Sequence, residues 1–105
     1  MKAIELLKRI EAKHPPVIID PRSSLEFARG HIPGAINTPI WKLVLNQATV
    51  PPDKNGEMVV ACMHGQRAWL ARKLLAMRGY RNMDFLDGWL EGWIEAGLPW
   101  EKPAS

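Results

Sequence analysis

The apolar positions of this 105-residue chain fall into two kinds of block. Short continuous runs, Val17-Ile18-Ile19 and Met58-Val59-Val60-Ala61, predict strands buried on both faces. Stretches with helical spacing predict helices. Lys2 to Lys13 places Ile4, Leu6, Leu7 and Ile10 on an apolar stripe, with Glu5, Lys8, Arg9 and Glu11 opposite. Ile40 to Ala48 gathers Trp41, Val44 and Leu45 on one face. A helix from Gln66, stopped by Gly79, turns Ala68, Ala71, Leu74, Leu75 and Met77 inward. Trp89 to Ala96 is a last short helix with Trp89 and Trp93 one turn apart. Ser23-Ser24-Leu25-Glu26 has the pattern of a capping box opening a helix that ends at Gly30. Ala35-Ile36-Asn37 and Asn82 to Leu86 read as two further short strands. Pro15-Pro16, Pro33-Gly34 and Asp87-Gly88 mark turns, Thr49 to Gly56 a loop, and Gly97, Pro99 and a polar tail close the chain.

Strands and helices alternate four times, with connections long enough for crossovers. The expected fold is therefore α/β: a mainly parallel central sheet with helices on both faces, in one domain spanning residues 1–105. Ligands of such sheets bind outside the carboxyl ends of the strands.

Cys62 lies at such an end. The stretch Met58 to Leu70 is strand, tight turn, then helix, and the turn holds the only cysteine. The first N–H groups of the helix have no partner inside it and make the spot electropositive. A thiol there is expected to ionise more readily than a free one. Arg67 lies in the first turn of that helix, the wrong end for a cation with respect to the dipole, which suggests a negative ligand. Gly65 supplies a backbone free to curl around a bound group. Cys62, Gly65 and Arg67 are together explained by one bound anion.

Composition narrows the function. A net charge of +3 with no dense Lys/Arg block argues against nucleic acid as a partner. Met1 to Lys13 mixes apolar and charged residues, unlike a signal peptide, and no segment reads as a membrane span. A single cysteine rules out an internal disulfide and points to a reducing compartment, so the expected location is cytoplasmic. Cys62 and His64 are too few ligands for a structural zinc site.

Three motifs in order carry a family resemblance. Asp20-Pro21-Arg22, Glu26-Phe27 and Gly30-His31-Ile32-Pro33-Gly34-Ala35 resemble the first signature of the rhodanese family. Cys62-x-x-Gly65-x-Arg67 is similar to its active-site loop. Leu86-Asp87-Gly88-Trp89 with Trp93 and Gly97-Leu98-Pro99 resembles its closing motif. The resemblance runs from Val17 to Trp100 and is nearest to single-domain rhodaneses. It implies a rhodanese-like three-layer domain and a thiosulfate sulfurtransferase. Cys62 would attack a small anionic sulfur donor and become a persulfide. Met63, His64, Gly65, Gln66 and Arg67 would bind the donor. A thiol, a protein or, in an assay, cyanide would accept the sulfur. No metal or organic cofactor is implied. Asp20, Arg22, Glu26 and His31 read as structural groups that satisfy one another, with Arg22 and Glu26 as a pair four residues apart. Two positions depart from the family pattern: Ala68 stands where serine is common, and Asp87 where paired glycines are common.

Three rivals remain in view. A phosphatase or arsenate reductase would carry Cys-x5-Arg, and only four residues separate Cys62 from Arg67 here. A non-catalytic rhodanese-like module would usually lack the cysteine. A protein-to-protein sulfur carrier would share the persulfide and differ in its acceptor.

Overall fold

The computed structural model describes residues 1–102; the end of the expected polar tail, 103–105, lies outside the described residues. The elements follow the order α1 (Ala3–Glu11), β1 (Val17–Asp20), α2 (Ser24–Arg29), β2 (Ile36–Asn37), α3 (Ile40–Val44), β3 (Met58–Val60), α4 (Gln66–Ala76), β4 (Met83–Phe85) and α5 (Trp89–Glu95). The four strands among the described residues form one sheet in the order β2-β1-β3-β4, every pairing parallel. Ile18 lies beside Val59 and Ile19 beside Val60.

Alternation along the strands divides the core into two layers. Ile19, Met58, Val60 and Cys62 face Leu43 of α3 and Ala68, Ala71 and Leu75 of α4. Ile18, Val59 and Ala61 face Leu6 of α1 and Leu90 and Trp93 of α5. Full burial of side chains such as Ile19 and Leu75 contributes about 1.5–3 kcal/mol each.

Three apolar expectations are corrected. Ile4 is exposed, because the buried stripe of α1 runs through Ala3, Leu6, Leu7 and Ile10 instead. Trp41, Val44 and Leu45 are exposed: α3 stops at Val44, and its single turn buries Leu43. Met77 is exposed, because α4 ends at Ala76 and the chain turns away toward Gly79.

The strand order places a switch point between β1 and β3. From there one crossover runs outward through α2 to β2 and another through α4 to β4. A crevice opens at the carboxyl ends of two neighbouring strands diverging in this way. The chain leaves β1 into Asp20-Pro21-Arg22 and α2, and leaves β3 into Cys62 and α4.

Candidate active site

Cys62 follows β3 by two residues and is 1% exposed. Its sulfur accepts the backbone N–H of Gly65 at 3.0 Å and of Ala68 at 3.3 Å. Gly65 is the N-cap of α4 and has no side chain to cap it, so the sulfur takes that place. The amides of Gln66 and Arg67, the first two helical positions, have no carbonyl partner within the helix and remain available to an anion.

Gly65 is required here twice over. Its φ of +98° is a conformation that L side chains rarely adopt. A Cβ would also stand 2.6 Å from the ring of Trp89. That ring belongs to an aromatic row: Phe85 lies 5.4 Å from Trp89, and Trp69 lies 5.1 Å from Phe85. Trp89 itself has φ +57°, unusual for so bulky a residue, directly after Gly88 at +78°.

The strained turn at Gly88-Trp89 aims the start of α5 at the loop. Leu90 N–H donates to the carbonyl of Cys62 at 3.0 Å, and Glu91 N–H to the carbonyl of Met63 at 3.3 Å. The Glu91 carboxylate also meets Nδ1 of His64 at 3.1 Å. The loop is thus fixed from outside by backbone groups of α5 and from within by the Cys62 sulfur.

Arg67 projects from α4 toward α2. Its guanidinium grips the carboxylate of Glu26 with both terminal nitrogens, Nη2 to Oε2 at 3.0 Å and Nη1 to Oε1. Glu26 is in turn held by Ser23, whose side chain and backbone complete the capping box of α2. Hydrogen bonding from Arg67, opposed by burial and reinforced by Ser23, pulls the Glu26 carboxyl down to about 2. The same bond, against the effect of burial, holds Arg67 still more firmly protonated, with smaller contributions from the charges of Cys62 and Asp20. A surface hollow of about 390 Å³ opens beside Arg67, walled by Pro21, Ser23, Pro39, Ile40, Trp41 and Leu70.

The expected pairing of Arg22 with Glu26 is corrected. Arg22 lies ahead of the N-cap Ser23, outside α2, so helical i,i+4 geometry does not apply to it. It folds back on Asp20 instead. Nε meets Oδ1 at 2.9 Å, Nη2 meets Oδ2 at 2.8 Å, and Nη2 also donates to the carbonyl of Gly30 at 2.7 Å. Both residues are 2% exposed, and the added hydrogen bonds compensate the charges lost to solvent. His31 stacks on Phe27 with ring centroids 3.7 Å apart, and its Nδ1 lies 2.8 Å from the Phe27 carbonyl. Asp20, Arg22 and His31 therefore form the buried frame of the site. Glu26 is the member of that set that reaches Arg67 of the Cys62 loop.

The six residues from Cys62 to Arg67 come together in one turn. Sequence reasoning missed three contributors: Glu26 as the partner of Arg67, Trp89 against Gly65, and the α5 amides on the loop carbonyls. The turn residues Asp87-Gly88 were the available signal for the last two. The alanine at position 68 keeps a role through its backbone, since its N–H reaches the sulfur. Among the described residues, no group of three or more His, Cys, Asp or Glu could hold a metal ion. No helix among them is long and apolar enough to cross a membrane.

Comparison with known proteins matches this geometry to one family. The family model for the rhodanese-like domain matches residues 2–96. The chain is 32% identical over 108 residues to the thiosulfate:glutathione sulfurtransferase of Saccharomyces cerevisiae, covering 90% of this chain and 78% of that protein. It is 34% identical over 94 residues to the thiosulfate sulfurtransferase GlpE of Shewanella oneidensis, covering 88% of each. The crystal structure of the Alr3790 protein from Anabaena sp. superposes with a TM-score of 0.86 at 30% identity, over 98% of this chain and 82% of that one.

Proposed function

The chain belongs to the rhodanese-like domain family, and on that premise we propose that it is a thiosulfate sulfurtransferase working through a persulfide on Cys62. The observation that carries this reading is the pair of amides, Gly65 and Ala68, on the Cys62 sulfur at the open start of α4. N–H donors aimed at this sulfur hold the negative charge that the attacking sulfur and the persulfide carry during transfer.

In the first half-reaction the Cys62 thiolate attacks the outer sulfur of thiosulfate. The bond to the sulfonate sulfur breaks, and sulfite leaves with its electron pair. Met63, His64, Gly65, Gln66 and Arg67 form the donor site. The free amides of Gln66 and Arg67 receive the outer sulfur of the persulfide, and the Arg67 guanidinium steadies the sulfonate oxygens. In the second half-reaction a thiophilic acceptor attacks that outer sulfur, and Cys62 leaves as the thiolate. Cyanide serves in an assay. The yeast relative is named for transfer to glutathione, and a thiol acceptor is the natural counterpart here. A free thiol of this kind persists in a reducing compartment, so the cytoplasm is the proposed setting.

One feature disfavours a phosphatase or arsenate reductase: the loop is one residue shorter than Cys-x5-Arg. The test is mass spectrometry of the intact protein. Thiosulfate should add one sulfur atom to the wild type and none to Cys62→Ser, and cyanide should remove it. A wild-type protein left unmodified at neutral pH would refute the reading.

A further inference from the structure

A groove of about 580 Å³ runs along the outer face of α4, from Gln66 beside the Cys62 loop down to Tyr80, Arg81 and Met83. Its walls include Trp69, Leu70, Ala76 and Met83, with Trp69 61% and Leu70 45% exposed. Its charged lining residues are Arg72, Lys73 and Arg81, and no carboxylate lines it. Among the described residues none of these three cations takes part in an ion pair. Arg72 lies instead over the Phe85 ring at 5.2 Å. Asp84 of β4, alternating away from Met83 and Phe85, bonds the amino group of Met1 at 2.6 Å.

Apart from Gln66 at its upper end, the thiosulfate reaction makes no use of this groove, and thiosulfate is far too small to fill it. We propose that it is the docking surface for an acidic, partly apolar segment of a thiol-bearing protein that takes the sulfur from Cys62. The proposal rests on the sulfurtransferase reading. Three unpaired cations on an apolar floor complement alternating acidic and apolar side chains. The eleven residues of α4 span about 16 Å, enough for about five residues of extended chain. The upper end of the groove is Gln66, four residues from Cys62, so a thiol at one end of the docked segment reaches the loop. The partner's thiol gives its proton to water. Its thiolate attacks the outer persulfide sulfur, the bond from that atom to the Cys62 sulfur breaks, and the partner carries away the new persulfide. Aromatic and basic groups would also suit single-stranded nucleic acid, but phosphates would have to cover the apolar floor, and the chain carries a net charge of only +3.

Two synthetic peptides test the surface, each with one thiol followed by alternating leucine and charged residues, aspartate in one and lysine in the other. Persulfidated enzyme is mixed rapidly with each peptide, and with cyanide in parallel. The acidic peptide should take sulfur at least about tenfold faster at low ionic strength, and the advantage should shrink in about 1 M salt. Lys73→Glu/Arg81→Glu should reverse the preference between the peptides while leaving cyanide transfer within twofold. Equal rates for the two peptides, or a preference indifferent to charge reversal, would overturn the proposal and leave the sulfurtransferase reading standing. Fluorescence anisotropy of the same peptides on Cys62→Ser reads the surface independently of sulfur chemistry. Binding of the acidic peptide alone, weakened by the double charge reversal, supports docking. Tighter binding of an oligouridylate would reassign the groove to nucleic acid.

Discussion

Arg67 and Glu26, 41 residues apart, form a two-pronged ion pair across the mouth of the crevice between α4 and α2. The cation expected to greet an anionic donor is thus already matched by a carboxylate. A donor must share Arg67 with Glu26 and approach its negative charge. Replacing Glu26 by glutamine keeps the shape and removes that charge. Allowing for screening at this half-exposed position, the change favours an anion by about 1 kcal/mol. The KM for thiosulfate should fall about fivefold in Glu26→Gln. A raised KM would mean that Glu26 positions Arg67 rather than screening it.

The same pair sets an acid limit. The Glu26 carboxyl is lowered from 4.5 to about 2 in the folded protein, so the pair stabilises the fold fully above the unfolded value. That contribution is lost as pH falls from about 4.5 to about 2. Because both side chains are more than a third exposed or close to it, the gain stays below about 1 kcal/mol. Urea denaturation of wild type and Glu26→Gln should show a stability gap that is constant above pH 5 and closes toward pH 2. A gap unchanged over that range would assign it to packing.

Arg67→Lys retains a positive charge and loses the planar fork. Lysine cannot hold both Glu26 oxygens and also grip a sulfonate. Stopped-flow measurement of the two half-reactions should show persulfide formation slowed by an order of magnitude and transfer to cyanide changed much less. If both steps slow equally, Arg67 acts on the persulfide itself.

Gly65→Ala meets two obstacles, a φ of +98° and the Trp89 ring 2.6 Å from the new Cβ. The cost should be about 1–3 kcal/mol of stability, with thiosulfate turnover reduced more than tenfold as the Gly65 amide leaves the sulfur. Adding Trp89→Leu removes the ring but not the backbone strain, so thermal unfolding should recover in part. Full recovery would show that the clash alone matters.

One glycine inserted between Gly65 and Gln66 creates Cys-x5-Arg and shifts Ala68 out of register with the sulfur. Steady-state assays should find thiosulfate turnover lost, while the wild type hydrolyses no aryl phosphate at a comparable rate. Wild-type phosphatase turnover equal to its sulfur transfer would move the assignment to that rival class.

The sequence was most informative where the controlling interactions are local. The apolar runs of β1 and β3, the Ser23–Glu26 capping box and the start of α4 at Gln66 each depend on neighbours a few residues away, and each is in place. Position along the chain also brought Cys62, Gly65 and Arg67 into one turn. The pairing of charges was not legible in the same way. Spacing suggested Arg22 with Glu26, but Arg22 precedes the helix, and the real partners are fixed by tertiary approach of α2 to α4. Likewise, the helix expected from Ile40 to Ala48 has more turns than α3, which stops at Val44 and buries Leu43 while Trp41, Val44 and Leu45 stay exposed. The α5 amides that hold the loop have no side-chain signature at all.

The order in which the parts of the site emerge during synthesis follows from the closing segment. Glu101 pairs with His31 through both backbone groups, and Trp100 lies where a side chain on Gly30 would be. Those residues roof the Asp20–Arg22 frame, and the α5 amides that steady Cys62 come only shortly before them. A ribosome that has already delivered Cys62, Arg67 and its partner Glu26 has not yet delivered the α5 amides that hold the loop carbonyls. Until α5 has been made, the turn that carries the Cys62 thiol lacks the amides that bond the carbonyls of Cys62 and Met63, so the arrangement assembles only when the domain folds as a unit.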